Sequence, residues 1–227
     1  MKEKIVKHAA GILASILLFG TASAGAEYMD VSGWSAKAIQ DISARGIMVG
    51  VAKDSFAPYA KLTQCELASV LYRMAGKPSY TKLDYEYTDM TDPNVWYYDA
   101  ALWAGYNQII MCGDLYRETE DPSDAFIYSS SIDPQCIITR ENALYSLYRL
   151  AVYKGYDRPV GDRASEFKEY DEWIFLGGLE KCIEMWNWGL ETNIVYGYGD
   201  KSLRPTQDIT REEFAAMVSR FMKYYDM

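Results

Sequence analysis

Three runs of this chain place apolar residues four, eight and eleven positions after a threonine. They are Leu67, Leu71 and Met74 after Thr63; Ala143, Leu147 and Leu150 after Thr139; and Phe214, Val218 and Phe221 after Thr210. That spacing puts one apolar stripe along each of three helices. A proline stands five residues before each threonine (Pro58, Pro134, Pro205), and an arginine ten residues after it (Arg73, Arg149, Arg220). Upstream, a short apolar stretch ends in a glycine, at Gly50, Gly113 and Gly197. Earlier still, Ala38, Ile39 and Ile42 line one side of a predicted helix running roughly from Trp34 to Ala44, which Gly46 ends. Each copy reads as helix, loop with a short strand, helix. One such unit is too small to bury its own core, so three copies should pack against each other.

The second helices carry their own start signals. Thr63 with Glu66 and Thr210 with Glu213 have the spacing of a capping box, while Asn142 weakens the box that Thr139 opens. The copies also differ in length. Between glycine and proline stand 7 residues in the first and third copies and 20 in the second. The extra residues include Asp114 and the acidic stretch Glu118–Asp121, which lacks the alternation of a calcium loop and reads as a solvated surface loop. The third copy carries its extra residues around Gly177 and Gly178.

The first residues follow a different pattern. A basic start (Lys2, Lys4, Lys7), an apolar run from Ala9 to Phe19 and the small residues Ala22, Ser23 and Ala24 predict a signal peptide over residues 1–24 and export of the remainder. The run is too short to span a bilayer, and no longer one follows. Cleavage there removes Lys2, Lys4, Lys7 and Glu3, and deepens the net charge from −9 to −11. So acidic a surface argues against nucleic acid as a partner. Cleavage also removes His8, the only histidine, and with it histidine-based triads, metal ligands and acid–base chemistry. No catalytic residue, metal site or cofactor is expected. Of the four cysteines, Cys112 and Cys136 bracket the long insertion and are the better candidates for a disulfide; Cys65 and Cys182 read as buried small residues. Most of the 20 tyrosines and 6 tryptophans should pack the core, although such rings also stack on sugars.

One position resists an explanation from local stability. Gln64, Arg140 and Arg211 follow the capping threonines, and a cation in a helix's first turn has the wrong sign for the helix dipole. Such an arginine could be exposed and paired with Glu141 or Glu212. Its recurrence in two copies favours an anion site instead, in which helix-start N–H groups join a guanidinium fork.

Taken together, an aromatic-x-acidic start, a tryptophan, RGIMVG with SFAP, and the motifs ITRENA (138–143) and ITREEF (209–214) resemble the S-layer homology domain. The resemblance spans nearly all of the chain from Tyr28 to about Tyr224, as repeats at 28–78, 85–153 and 166–224. It implies a mostly α fold, with three helix-loop-helix repeats in a pseudo-threefold arrangement. It also implies grooves between repeats that bind secondary cell wall polysaccharide, often capped by a pyruvate ketal, and so hold an exported protein noncovalently on the cell wall. The family's ligand-binding arginine falls on Arg140 and Arg211, with Gln64 at the third place. Its acidic residue falls on Asp30, Asp89 and Glu169, its tryptophan on Trp34, Trp96 and Trp173, and its glycine on Gly50, Gly113 and Gly197. A guanidinium suits the pyruvyl carboxylate and an aromatic ring suits the sugar face. On this pattern the groove of Arg211 should bind best and that of Gln64 least. Two other functions compete: a protein–protein adaptor on the same scaffold, and a cell-wall hydrolase using two carboxylates.

Overall fold

The computed structural model describes residues 28–84, 86–111, 131–170 and 180–227. The expected signal peptide, Cys112 and its expected disulfide, Gly113, the acidic insertion and Trp173 lie outside the described residues. The fold is mostly helical. A 3-10 turn (Gly33–Ser35) leads into α1 (Ala36–Ala44), followed by α2 (Gln64–Met74), α3 (Tyr98–Tyr106), α4 (Arg140–Tyr153), α5 (Glu180–Glu191) and α6 (Arg211–Tyr224). A second 3-10 turn, Arg163–Glu166, precedes α5.

The second helix of each copy starts where the threonines predict. Thr63, Thr139 and Thr210 have extended backbones and cap α2, α4 and α6. The Glu213 carboxylate accepts the Thr210 N–H at 2.8 Å, and Glu66 accepts that of Thr63 at 3.0 Å. Thr139 Oγ1 accepts the Asn142 N–H at 3.2 Å; a side-chain amide in place of the glutamate leaves that box one-sided. The predicted stripes are all core, from Leu71, Leu147 and Phe214 at 0 % exposure to Met74 at 5 %.

The main helix packings run between copies. α2 packs on α3, α4 on α5, and α6 returns to α1. Each second helix thus covers the first helix of the next copy, and the third copy covers the first. A closed ring of backbone hydrogen bonds links the same three copies: Leu62 N–H to Ile209 O, Ile209 N–H to Ile138 O, and Ile138 N–H to Leu62 O, each 3.1 Å. All three residues are buried. The short loop strands expected from sequence reduce, among the described residues, to isolated bridges. Three of these (Lys61 with Thr210, Thr63 with Ile137, Thr139 with Asp208) lie between copies. The chain meets its neighbour for only one residue before turning into a helix, so no ladder extends.

Candidate binding grooves between the sequence copies

Each copy folds its loop around an acid near its start. Asp30 accepts N–H bonds from Phe56 and Ala57 and a hydroxyl bond from Ser55, at 2.6–2.8 Å. Asp89 accepts from the N–H groups of Ile132 and Asp133, and Glu169 from those of Leu203 and Arg204. The residue after each apolar anchor has a left-handed backbone: Ala57 at φ 56°, Asp133 at 56° and Arg204 at 51°. These carboxylates hold a turn that is unfavourable for side-chain-bearing residues. Burial acts to raise the Asp30 pKa, but the Ser55 hydroxyl and the two backbone N–H groups outweigh it and hold the carboxyl below its ordinary value.

The glycines serve close packing in the same loops. Gly50 N–H donates to the Tyr28 hydroxyl at 2.8 Å, and a Cβ at Gly50 would run into that ring and the Ser55 carbonyl. A Cβ at Gly197 would run into the Phe167 ring. Trp34 is 62 % exposed. Trp96 is half-buried, with its ring edge-on to Tyr97. Trp103, Trp186 and Trp188 are core.

The expected arginines are placed differently from an open anion site. Arg211 is 4 % exposed, and its guanidinium reaches into the first copy's loop. Nε donates to Phe56 O at 3.0 Å, Nη2 to Val49 O at 2.9 Å, and Nη1 pairs with Glu66 Oε1 at 2.6 Å. Arg140, 8 % exposed, does the same in the third copy's loop, with Nε on Leu203 O at 3.1 Å and Nη2 on Tyr196 O at 2.6 Å. Gln64 reaches Ile132 O in the second copy's loop through Nε2. The helix-start N–H groups are also taken. Those of Arg211 and Glu212 donate to Ala60 O and Pro58 O, those of Arg140 and Glu141 to Gln207 O and Pro205 O, and those of Gln64 and Cys65 to Cys136 O and Pro134 O. The anion site expected from sequence needs these donors open, whereas the neighbouring copy saturates them.

The next residue of each helix completes the contact. Glu212 accepts a 2.6 Å bond from Ser35 Oγ, and Glu141 accepts from Cys182 Sγ and Trp186 Nε1. The equivalent residue in the first copy is Cys65, whose thiol burial pushes up to about 11. The contact from the first copy to the second therefore lacks the three charged side chains found at these positions in the other copies. Gln64, Cys65 and Asn142 stand where the others have arginine, glutamate and glutamate.

The sequence alone gives no role to the arginines ten residues after each threonine. Arg73 donates to Ile47 O, Arg149 to Gln108 O and Arg220 to Ile194 O, so each ties its helix to the turn that ends the first helix of the same copy. Nor does the sequence point to a cluster on the third copy's loop. The Arg204 guanidinium lies 3.9 Å from the centroid of the Tyr198 ring, with Arg140 5.3 Å from that ring. Arg220 lies 4.6 Å from the centroid of Tyr196. Burial lowers the pKa of Arg140 and Arg220, and the neighbouring arginines (Arg204 for Arg140, Arg140 for Arg220) push in the same direction. Among the described residues no cluster of His, Cys, Asp and Glu could hold a metal ion, and no helix is long and apolar enough to cross a membrane.

The S-layer homology domain matches this chain over residues 27–68 and 187–215. These segments fall in the first and third copies, each running from a first helix through the loop to the start of a second helix. The second copy, with its insertion and with Asn142 in place of a glutamate, lies outside them. Comparison with curated proteins finds no match. S-layer homology domains are binding or anchoring modules of cell-surface proteins, and the match to them supports cell-wall anchoring in general, with a wall glycan as partner.

Proposed function

We propose that the chain is exported and anchors noncovalently to the cell wall by holding pyruvylated secondary cell wall polysaccharide in grooves between three S-layer homology repeats related by a pseudo-threefold axis. The observation that carries this reading is the recurrence of one inter-copy joint: Arg211 into the first loop, Arg140 into the third and Gln64 into the second. In this reading each joint borders a groove, and several weak sites on a single polymer add through effective concentration. In this reading Arg211, Arg140 and Gln64 set the groove walls. Asp30, Asp89 and Glu169 shape the loops, and Gly50, Gly113 and Gly197 let the chain approach closely. Trp34, Trp96 and Trp173 offer ring faces to sugar. The residues supply binding and no bond cleavage.

The test is sedimentation of the secreted chain with purified wall polysaccharide, before and after chemical removal of the pyruvyl groups. Binding that requires those groups supports the reading. Absence of binding to either form, with capture of a surface protein instead, moves the adaptor function ahead. Release of soluble sugar from walls would make the chain a hydrolase.

A further inference from the structure

The three loops differ at the positions that face solvent beside the buried arginines. In the first loop Val49 and Val51 stand where the third has Tyr196 and Tyr198. At the left-handed position before the proline the loops carry Ala57, Asp133 and Arg204. Only the third loop therefore combines a solvent-facing guanidinium at that position with two tyrosine rings. Arg204 is 44 % exposed and Tyr196 is 48 % exposed, while Arg140 lies behind them at 8 %. The Arg204 guanidinium is held in place by Tyr198 beneath it and by Ser202 Oγ, which accepts from Nε at 3.2 Å.

We propose that Arg204 and Tyr198, backed by Arg140, select the groove between the second and third copies as the docking point for the anionic group of the wall glycan, and that Ala57 and Asp133 leave the other two grooves weaker. The inference rests on the anchoring function proposed above, and it places the groove of Arg140 ahead of that of Arg211, which the sequence pattern ranked first. Arg211 and Arg140 both spend Nε and Nη2 on loop carbonyls, and Arg211 spends Nη1 on the Glu66 carboxylate as well, so Arg211 is no better placed than Arg140 to meet a ligand. The Arg204 and Arg140 guanidiniums share the Tyr198 ring, and an anion beside them offsets their mutual repulsion, as the Glu213 carboxylate already does in part for Arg140. The planar fork of Arg204 suits a carboxylate, and the Tyr198 ring stacked beneath it fixes the plane of that fork. In the second loop Asp133 repels the same anion. The internal competitor in the third loop is Asp200, whose carboxylate lies 3.7 Å from Arg204 Nη2 and 3.9 Å from Lys168 Nζ. That exposed pairing is weak and screened, so an incoming anion can displace it.

The experiment measures the affinity of the secreted chain for pyruvylated wall polysaccharide, and for the same polymer stripped of pyruvate, in four variants. Arg204→Gln should weaken binding about tenfold to a hundredfold, the cost of one charge-assisted contact. Tyr198→Val should weaken it too, while Asp200→Asn and Asp133→Arg should tighten it. Melting curves check folding, which an exposed side chain such as Arg204 should not control. The inference is overturned if Arg204→Gln binds like the parent, or if the parent binds both polymers equally. A parent that binds neither polymer defeats the anchoring function itself.

Discussion

Arg211 shows how a buried charge is made tolerable at the scale of a single residue. Its guanidinium meets two carbonyls and the Glu66 carboxylate, with side-chain exposures of 5 % and 19 % for the pair. Removing one partner leaves the other charge buried beside Arg73, whose pKa burial lowers and Arg211 lowers further. Glu66→Ala should therefore destabilise the fold by about 3 kcal/mol, read as a shift in the denaturation midpoint. The double variant Glu66→Ala/Arg211→Met should lose less than the two single losses combined. Strict additivity would show that the pair does not act as a unit. Asp30 makes a pH-dependent contribution. Its folded pKa is depressed, so its stabilisation is present above the unfolded carboxylate value, near pH 4, and is lost as pH falls through the folded value. Asp30→Asn should be less stable than the parent at pH 7, and the gap should narrow below pH 4. A gap of equal size at pH 7 and pH 3 would remove the carboxylate from the account.

The helices of the second half of each copy were legible because their signals are local. Thr63, Thr139 and Thr210 cap them, and one stripe per helix fixes the buried face. The roles of Arg140 and Arg211 were not legible, because their partners lie 56 to 162 residues away, in a different copy. Periodicity reports which face of an element is apolar and says nothing of which loop meets its first turn. The same blindness hid the matched loss of charge at Gln64, Cys65 and Asn142. These positions are ordinary one by one and become a set only when the joint is known. Gln64 is 4 % exposed, and its neighbour across the joint, by analogy with Glu66, is Asn142. Gln64→Arg would bury a cation with no carboxylate to meet it, and should cost on the order of 2–4 kcal/mol. Adding Asn142→Glu should recover most of that loss. Chemical denaturation of the parent, the single variants and the double variant decides it. A Gln64→Arg protein as stable as the parent would show that the amide pair is not a replacement for an ion pair.

At the scale of the whole molecule, the order in which copies contact one another matters more than the fold of any copy. α2 covers α3, α4 covers α5 and α6 covers α1, so no copy's apolar stripe is satisfied by that copy alone. The ring from Leu62 to Ile209 to Ile138 and back to Leu62 closes the arrangement through three buried amides. Opening it anywhere exposes a helix face on two copies. A linear stack of repeats can fray from an end, because its last unit has one neighbour. A closed ring has no end, so local opening should cost nearly as much as global unfolding. The amide protons of Leu62, Ile138 and Ile209 should therefore exchange only through global unfolding, with equal free energies matching the value from denaturant melts. The amide of Asn94, which donates to an exposed Asp92 carboxylate two residues away, should exchange far sooner. Native-state hydrogen exchange at increasing denaturant resolves these sites separately. If one ring amide exchanges several kcal/mol more easily than the other two, the copies open one at a time and the ring is not what makes the molecule cooperative.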